Sequence, residues 1–104
     1  MLKKTLFVVL AAVSLIAFAA DFEIGQKGNK FDKGHIKIKV GDTVAFKNGD
    51  PHFHNIFSLT EGQSFDLGSF GQGQTRKHTF SKPGKVDVEC AIHPSMRLTV
   101  QVDP

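Results

Sequence analysis

Val88-Glu89-Cys90-Ala91-Ile92-His93-Pro94-Ser95-Met96 is the stretch on which the reading of this chain turns. It holds the only cysteine of the 104 residues, a histidine three positions on and a methionine three after that. Thiolate, imidazole and thioether are soft or borderline donors, the set that suits copper in both its oxidation states. Two His and one Cys in a trigonal plane, with a weak and long axial Met, make the blue-copper arrangement. This stretch supplies three of those four donors. The second imidazole must come from elsewhere, and Pro51-His52-Phe53-His54-Asn55-Ile56-Phe57 offers two histidines for the place. Taken singly, Cys90 would serve as a small buried hydrophobe, His93 as a loop residue and Met96 as core filler. Their joint spacing at the last strand turn points to ligation.

Outward from that stretch the chain reads as strand. In His35-Ile36-Lys37-Ile38-Lys39-Val40 and in Lys85-Val86-Asp87-Val88-Glu89-Cys90 apolar and polar residues alternate, the signature of a half-buried strand. Thr43–Lys47, His54–Leu59, Gln74–Phe80 and Arg97–Val102 are further strands, Phe22–Ile24 begins the domain, and Phe65–Phe70 forms a short strand or an ordered loop. Gly41-Asp42, Asn48-Gly49-Asp50-Pro51, Glu61-Gly62-Gln63 and Gly71-Gln72-Gly73 are breaks, and Lys82-Pro83-Gly84 has the Pro-Gly order of a type II turn. Short strands separated by such turns predict an all-β antiparallel sandwich or barrel. Phe46, Phe57, Phe80 and Phe65 are expected in its core, and Lys37 and Lys39 on a solvated face. His35 and His78 are read as surface residues.

Residues 1–19 read as a secretory leader: Lys3 and Lys4, an apolar run from Leu6 to Phe18 broken only by Ser14, then Ala17-Phe18-Ala19 as the cleavage signal. The run is short for a membrane span of ~20 residues. Removing 19 of the 104 residues leaves a domain of 85, residues 20–104, with eleven Lys plus Arg against ten Asp plus Glu. A net charge of +1 gives no reason to expect nucleic acid. A lone cysteine in an exported chain cannot form an internal disulfide, so it is an unpaired liability, a ligand or a reactive thiol. A small domain without disulfides gains from a bound metal as a staple.

With those residues in view, the mature chain resembles the cupredoxins, the small blue copper proteins. Lys39-Val40-Gly41-Asp42-Thr43-Val44 with Lys47-Asn48 is similar to the family's entry to its ligand loop. His54-Asn55-Ile56-Phe57 is similar to its first ligand and the Asn that follows, and Pro83-Gly84 with Val88-x-Cys90 and His93-Pro94-x-Met96 to its C-terminal ligand loop. The short Cys90-x-x-His93-x-x-Met96 spacing resembles amicyanin-like members. Phe53–Leu59, Phe65-Asp66-Leu67-Gly68 and Cys90–Met96 resemble a plastocyanin-like group labelled methylamine utilization protein. Family members commonly carry Pro before the first ligand, which favours His52, and Asn after it, which favours His54. His54 is preferred because Asn55 can then hold the ligand loop from behind. His52 lies near in either case, as a solvated loop residue or a copper-acquisition ligand.

The resemblance implies a Greek-key sandwich binding one type 1 copper through His54, Cys90, His93 and Met96. It implies a periplasmic, monomeric single-electron carrier rather than an enzyme, docking transiently with a redox donor and acceptor and not inserted in a membrane once its leader is cut. A copper chaperone or storage protein on the same fold is the alternative. A multicopper oxidase or nitrite-reducing enzyme is disfavoured, because five histidines do not furnish a second copper set.

Overall fold

Eight strands make up the computed structural model, which describes residues 18–104. They are β1 (Asp21–Gln26), β2 (His35–Lys39), β3 (Thr43–Asn48), β4 (His54–Ser58), β5 (Phe65–Phe70), β6 (Thr75–Thr79), β7 (Gly84–Glu89) and β8 (Arg97–Asp103). The leader expected at residues 1–19 falls almost wholly outside the described residues. Among them no helix is long and apolar enough to cross a membrane.

The strands form two sheets, β1-β3-β6 and β2-β8-β7-β4-β5. Period-two alternation sets their inner faces. Val86 and Val88 of β7, Leu98, Val100 and Val102 of β8, Ile36 and Ile38 of β2, and Val44 and Phe46 of β3 all point into one shared core with Ile56, Phe70 and Phe80. The all-β sandwich is therefore as the alternation predicts. Two pairings depart from an antiparallel arrangement: β1 runs parallel to β3 and β2 parallel to β8. Alternation fixes which face a residue takes and is silent on the direction of the neighbouring strand.

Three smaller expectations also change. Gly84 opens β7, pairing with Val102 at φ 135°, instead of ending a free turn. Phe57 is half-buried on the outer face of β4, because burial of His54, Ile56 and Ser58 assigns the odd positions outward. His78 is half-buried rather than free at the surface: its ring stacks on Phe65 at 3.7 Å between centroids and meets Phe80 edge-on at 4.7 Å. Burial holds its imidazole below the ordinary 6.5.

Gln26 is the one inner-facing position of β1 filled by a polar side chain. It is fully buried, and neither its amide oxygen nor its nitrogen has a hydrogen-bond partner among the described residues. An unpaired buried amide costs roughly 1–3 kcal/mol. Met has nearly the same length and no such debt, so Gln26→Met should raise the unfolding free energy by about 1–2 kcal/mol in urea denaturation. An unchanged or lower midpoint would show that the amide has a partner after all.

Candidate metal centre

Alternation that builds the core also carries three donors to one end of the sandwich. Cys90 follows Val86 and Val88 inward at the end of β7, Met96 precedes Leu98 inward at the start of β8, and His54 opens β4 on its inner face. All three are buried, His54 at 0% and Cys90 and Met96 at 1% exposure. The thiol is unpaired. The loop between β7 and β8 turns back on itself through the Met96 N–H, which donates to the His93 carbonyl at 2.9 Å. This turn brings His93, half-buried, over the thiol.

His54 Nδ1 lies 3.8 Å from Cys90 Sγ and His93 Nδ1 lies 3.9 Å from it. A borderline metal bonded at about 2.0–2.3 Å to an imidazole and a thiolate, near a trigonal angle, holds such donors about 3.7 Å apart. The spacing therefore fits a shared ion without rearrangement. Burial, then the adjoining His54 and His52 rings, hold His93 below the ordinary imidazole value, so its nitrogen is unprotonated at neutral pH and able to donate a lone pair.

Three of the four expected donors, on His54, Cys90 and His93, thus face one another, and Met96 is buried where the same loop enters β8. What the sequence did not reveal is how His54 is oriented. Its Nε2 donates to Asp50 Oδ2 at 2.7 Å, which leaves Nδ1 as the lone-pair nitrogen on the thiol side. Asp50 is itself buried and accepts from the Gly28 N–H at 2.8 Å and the Asn29 N–H at 3.2 Å. Burial opposes its ionisation, but the bonds from His54, Gly28 and Asn29 outweigh it and hold the carboxyl down at about 2. Gly28 and Asn29 stand at the tip of a two-residue hairpin closed by reciprocal Lys27–Lys30 backbone bonds, and both have positive φ, 63° and 56°. That is the conformation a type I′ turn demands, and Gly-Asn supplies it at little cost. In sequence Asp50 reads only as a turn residue before Pro51; its backbone donors Gly28 and Asn29 lie more than twenty positions away.

Two asparagines complete the frame. Asn48 is fully buried, donates to the His52 and Phe70 carbonyls at 2.9 and 3.0 Å and accepts from the Asp50 N–H at 2.8 Å. Asn55 accepts from the Ala91 N–H at 2.7 Å, so it does hold the ligand loop from the neighbouring strand, as its place after His54 suggested. His52 lies outside this frame, its side chain 45% exposed, with Nε2 2.6 Å from Asn29 Oδ1.

A fold of this kind with this donor set defines a copper-binding domain. The sequence model of the plastocyanin/azurin family of copper binding proteins matches residues 18–103. The chain belongs to that family, and copper is its cofactor. Methylamine utilization protein MauL of Methylorubrum extorquens is 29% identical over 102 residues, 97% of this chain and 90% of that one. Among solved structures, a reduced Cu(I) form of a mutant amicyanin at pH 4 is 26% identical with a TM-score of 0.74, over 86% of this chain and 87% of that one. A second amicyanin mutant with Cu(I) is 25% identical with the same TM-score of 0.74, over 79% and 81%. The copper-containing nitrite reductase of Thermus scotoductus matches 80% of this chain at 28% identity and a TM-score of 0.74, but the chain spans only 22% of that enzyme.

Proposed function

We propose that this is an exported type 1 copper protein of the periplasm, monomeric, which carries one electron at a time between redox proteins. His54, Cys90, His93 and Met96 hold the metal, residues 1–19 are the leader and residues 20–104 the working domain. The observation that supports this best is the pair of imidazole Nδ1 atoms at 3.8 and 3.9 Å from one buried thiol. Copper held there supplies a one-electron couple, Cu(II)/Cu(I). The protein's own part is rigidity. Asp50 locks the His54 ring, Asn55 pins the Ala91 backbone and Asn48 ties the loop that carries His52. With the donors fixed this way, little has to move when the metal changes charge. No residue is assigned a catalytic role. The direct test is to add Cu(II) to the purified metal-free protein, which should give an intense visible thiolate-to-copper band at one equivalent.

Met96 tunes the site more than it holds it, since the axial donor of such centres is weak and long. Met96→Leu removes a donor that favours the more highly charged ion, so copper should stay bound and the reduction potential rise. Met96→Gln offers a harder oxygen and should lower it. Loss of metal from either variant, measured by voltammetry beside copper analysis, would make Met96 a primary ligand.

Electrons are proposed to pass through the half-buried His93 edge. Its chain neighbours Ile92 and Pro94 are exposed, Ile92 at 50%, and so at 63% is Phe53, which stands between His52 and His54 in the chain. Neither Phe53 nor Ile92 turns inward as core. Exposed apolar clusters mark interaction surfaces, and weak redox encounters use small interfaces. Ile92→Asp should slow electron exchange with the physiological partner about tenfold or more in stopped flow, since a desolvated charge in an interface costs a few kcal/mol. The copper spectrum should not change. An unaltered rate would place the exit elsewhere.

A copper-delivery role on the same fold is the second reading. The observation that favours it is His52, an imidazole beside the site that the quartet does not use.

A further inference from the structure

His52, His54 and His93 form a triangle of imidazoles. Their ring centroids are 4.9 Å apart for His52 and His54, 5.1 Å for His52 and His93, and 4.9 Å for His54 and His93. One nitrogen from each can be chosen so that all three lie within 4.8 Å of one another. Exposure falls steeply across the triangle, from His52 at 45% through the half-buried His93 to His54 and Cys90 at 0% and 1%. An ion arriving from solvent meets the outer imidazoles long before it can meet the thiol. Two nitrogens bonded to one ion at about 2 Å lie at most about 4 Å apart, so a modest rotation of the exposed His52 ring would close the gap. That ring is restrained by a single short contact, Nε2 to Asn29 Oδ1 at 2.6 Å, with Asp50 Oδ2 at 3.7 Å from the same nitrogen. Its exposed setting contrasts with that of His54, which is buried and bonded to the Asp50 carboxylate at 2.7 Å.

We propose that His52 is the copper-capture residue of this protein: with His93 it binds Cu(II) at the mouth and passes it inward to His54 and the Cys90 thiolate. The step is a ligand exchange. The copper keeps its oxidation state, the His52–Cu bond breaks as the Cys90–Cu bond forms, and the thiol proton goes to solvent. This rests on the type 1 reading of the quartet, and the two fail differently.

The test is stopped-flow mixing of metal-free protein with Cu(II), following growth of the thiolate band. His52→Ala should slow band growth at least about tenfold while its final position and height stay those of the unsubstituted protein. His52→Met supplies the control for a merely structural role. A thioether is a softer donor that suits Cu(I), so this variant should load Cu(II) slowly yet take Cu(I) from a coloured chelate about as fast as the unsubstituted protein. Equal Cu(II) rates for His52→Ala and the unsubstituted protein would overturn the capture role and leave the quartet standing. So would a His52→Met variant slowed alike for both oxidation states. If the unsubstituted protein gave no band at all, the quartet itself would be wrong and capture with it.

At the opposite end of the sandwich a different observation carries a second proposal. The Ala20 nitrogen lies 2.7 Å from Asp42 Oδ1, while Lys39 N–H donates to Oδ2 at 2.8 Å and the Ala20 carbonyl accepts from Thr43 N–H at 3.0 Å. Asp42 is only 5% exposed. Ala20 is the residue the leader reading places first after the cut. Hydrolysis of the Ala19–Ala20 peptide bond by a signal peptidase uses one water, leaving a carboxylate on Ala19 and an ammonium on Ala20. The bond to Asp42 then becomes a charge-assisted ion pair.

We infer that Asp42 is a receptor for the processed N-terminus, so that cleavage fastens β1 to the β2–β3 corner. Lys39 and the Lys37–Asp103 pair, 3.4 Å apart, also line that corner. The exported protein should weigh as a chain beginning at Ala20; any other first residue overturns the inference. On that chain, which contains all eight strands, N-terminal acetylation should lower the melting temperature, and Asp42→Asn should abolish the difference between acetylated and free forms. The α-amino pKa, read by NMR, should stand about one unit above its usual ~7.7–8.0. An acetylation effect that is nil, or equal in Asp42→Asn, would show that the amine pairs with nothing.

Discussion

Cys90→Ser should abolish the visible band of the copper-loaded protein completely, with the fold intact. An intense band requires a sulfur-to-copper charge transfer, and Cys90 is the only thiol in the chain. Serine is the same shape with a harder oxygen, so it can fill the position inside the sandwich without donating as a thiolate does. A buried polar substitution at a position otherwise occupied by a small hydrophobe costs roughly 1–3 kcal/mol, small enough for the apo form to remain folded. The informative comparison is between histidines. His54→Ala removes the buried, carboxylate-held imidazole proposed as a ligand and should cost the band nearly all its intensity. His52→Ala should leave the equilibrium band unchanged. The visible spectrum of each variant at one equivalent of Cu(II), with circular dichroism as the check on folding, decides the matter. A band surviving in Cys90→Ser, or lost in His52→Ala and kept in His54→Ala, would refute the ligand assignment.

Much of this centre was legible because its donors are chemically distinctive and locally spaced. One thiolate, one imidazole and one thioether at intervals of three admit few other uses together, and strand alternation places Cys90 and Met96 on inner faces without any knowledge of the fold. Asn55 was legible too, being next to the ligand whose loop it holds. Asp50 was not. Its role depends on the Gly28-Asn29 turn and His54 both meeting its carboxylate, and nothing local distinguishes it from an ordinary turn aspartate. The Gly28-Asn29 pair is a turn signal in sequence, but nothing in it shows that the turn folds against Asp50. Phe57 was misplaced for a simpler reason. Two apolar neighbours, Ile56 and Phe57, cannot share a face of one strand, and only the burial of His54 decides which of them turns inward. The parallel pairings of β1 and β2 were invisible because alternation carries no information on strand direction.

Asp50→Ala should be the most destabilising single change near the metal that removes no ligand. The carboxylate accepts three hydrogen bonds at once, from His54 Nε2 at 2.7 Å, Gly28 N–H at 2.8 Å and Asn29 N–H at 3.2 Å. Hydrogen bonds to charged groups contribute about 1.5–3 kcal/mol each and do not add in full. Alanine leaves the buried His54 N–H with no acceptor and releases the hairpin from the ligand loop. Removing one partner of a buried charged network typically costs about 3–5 kcal/mol, and a loss of about that size is expected in denaturant unfolding of the metal-free protein. Copper affinity should fall about 10–100-fold, the usual penalty for losing the group that orients a ligating histidine, as read by competition with a chelator. Asp50→Asn separates shape from charge. Its amide keeps the volume and can still accept from His54, so it should recover much of the stability. It withdraws a negative charge that favours Cu(II) over Cu(I), so the reduction potential should rise in Asp50→Asn even where folding is restored. If Asp50→Ala unfolded at the same denaturant concentration as the unsubstituted protein and held copper as tightly, the His54 ring would be fixed by packing alone and the carboxylate would have no part in the centre.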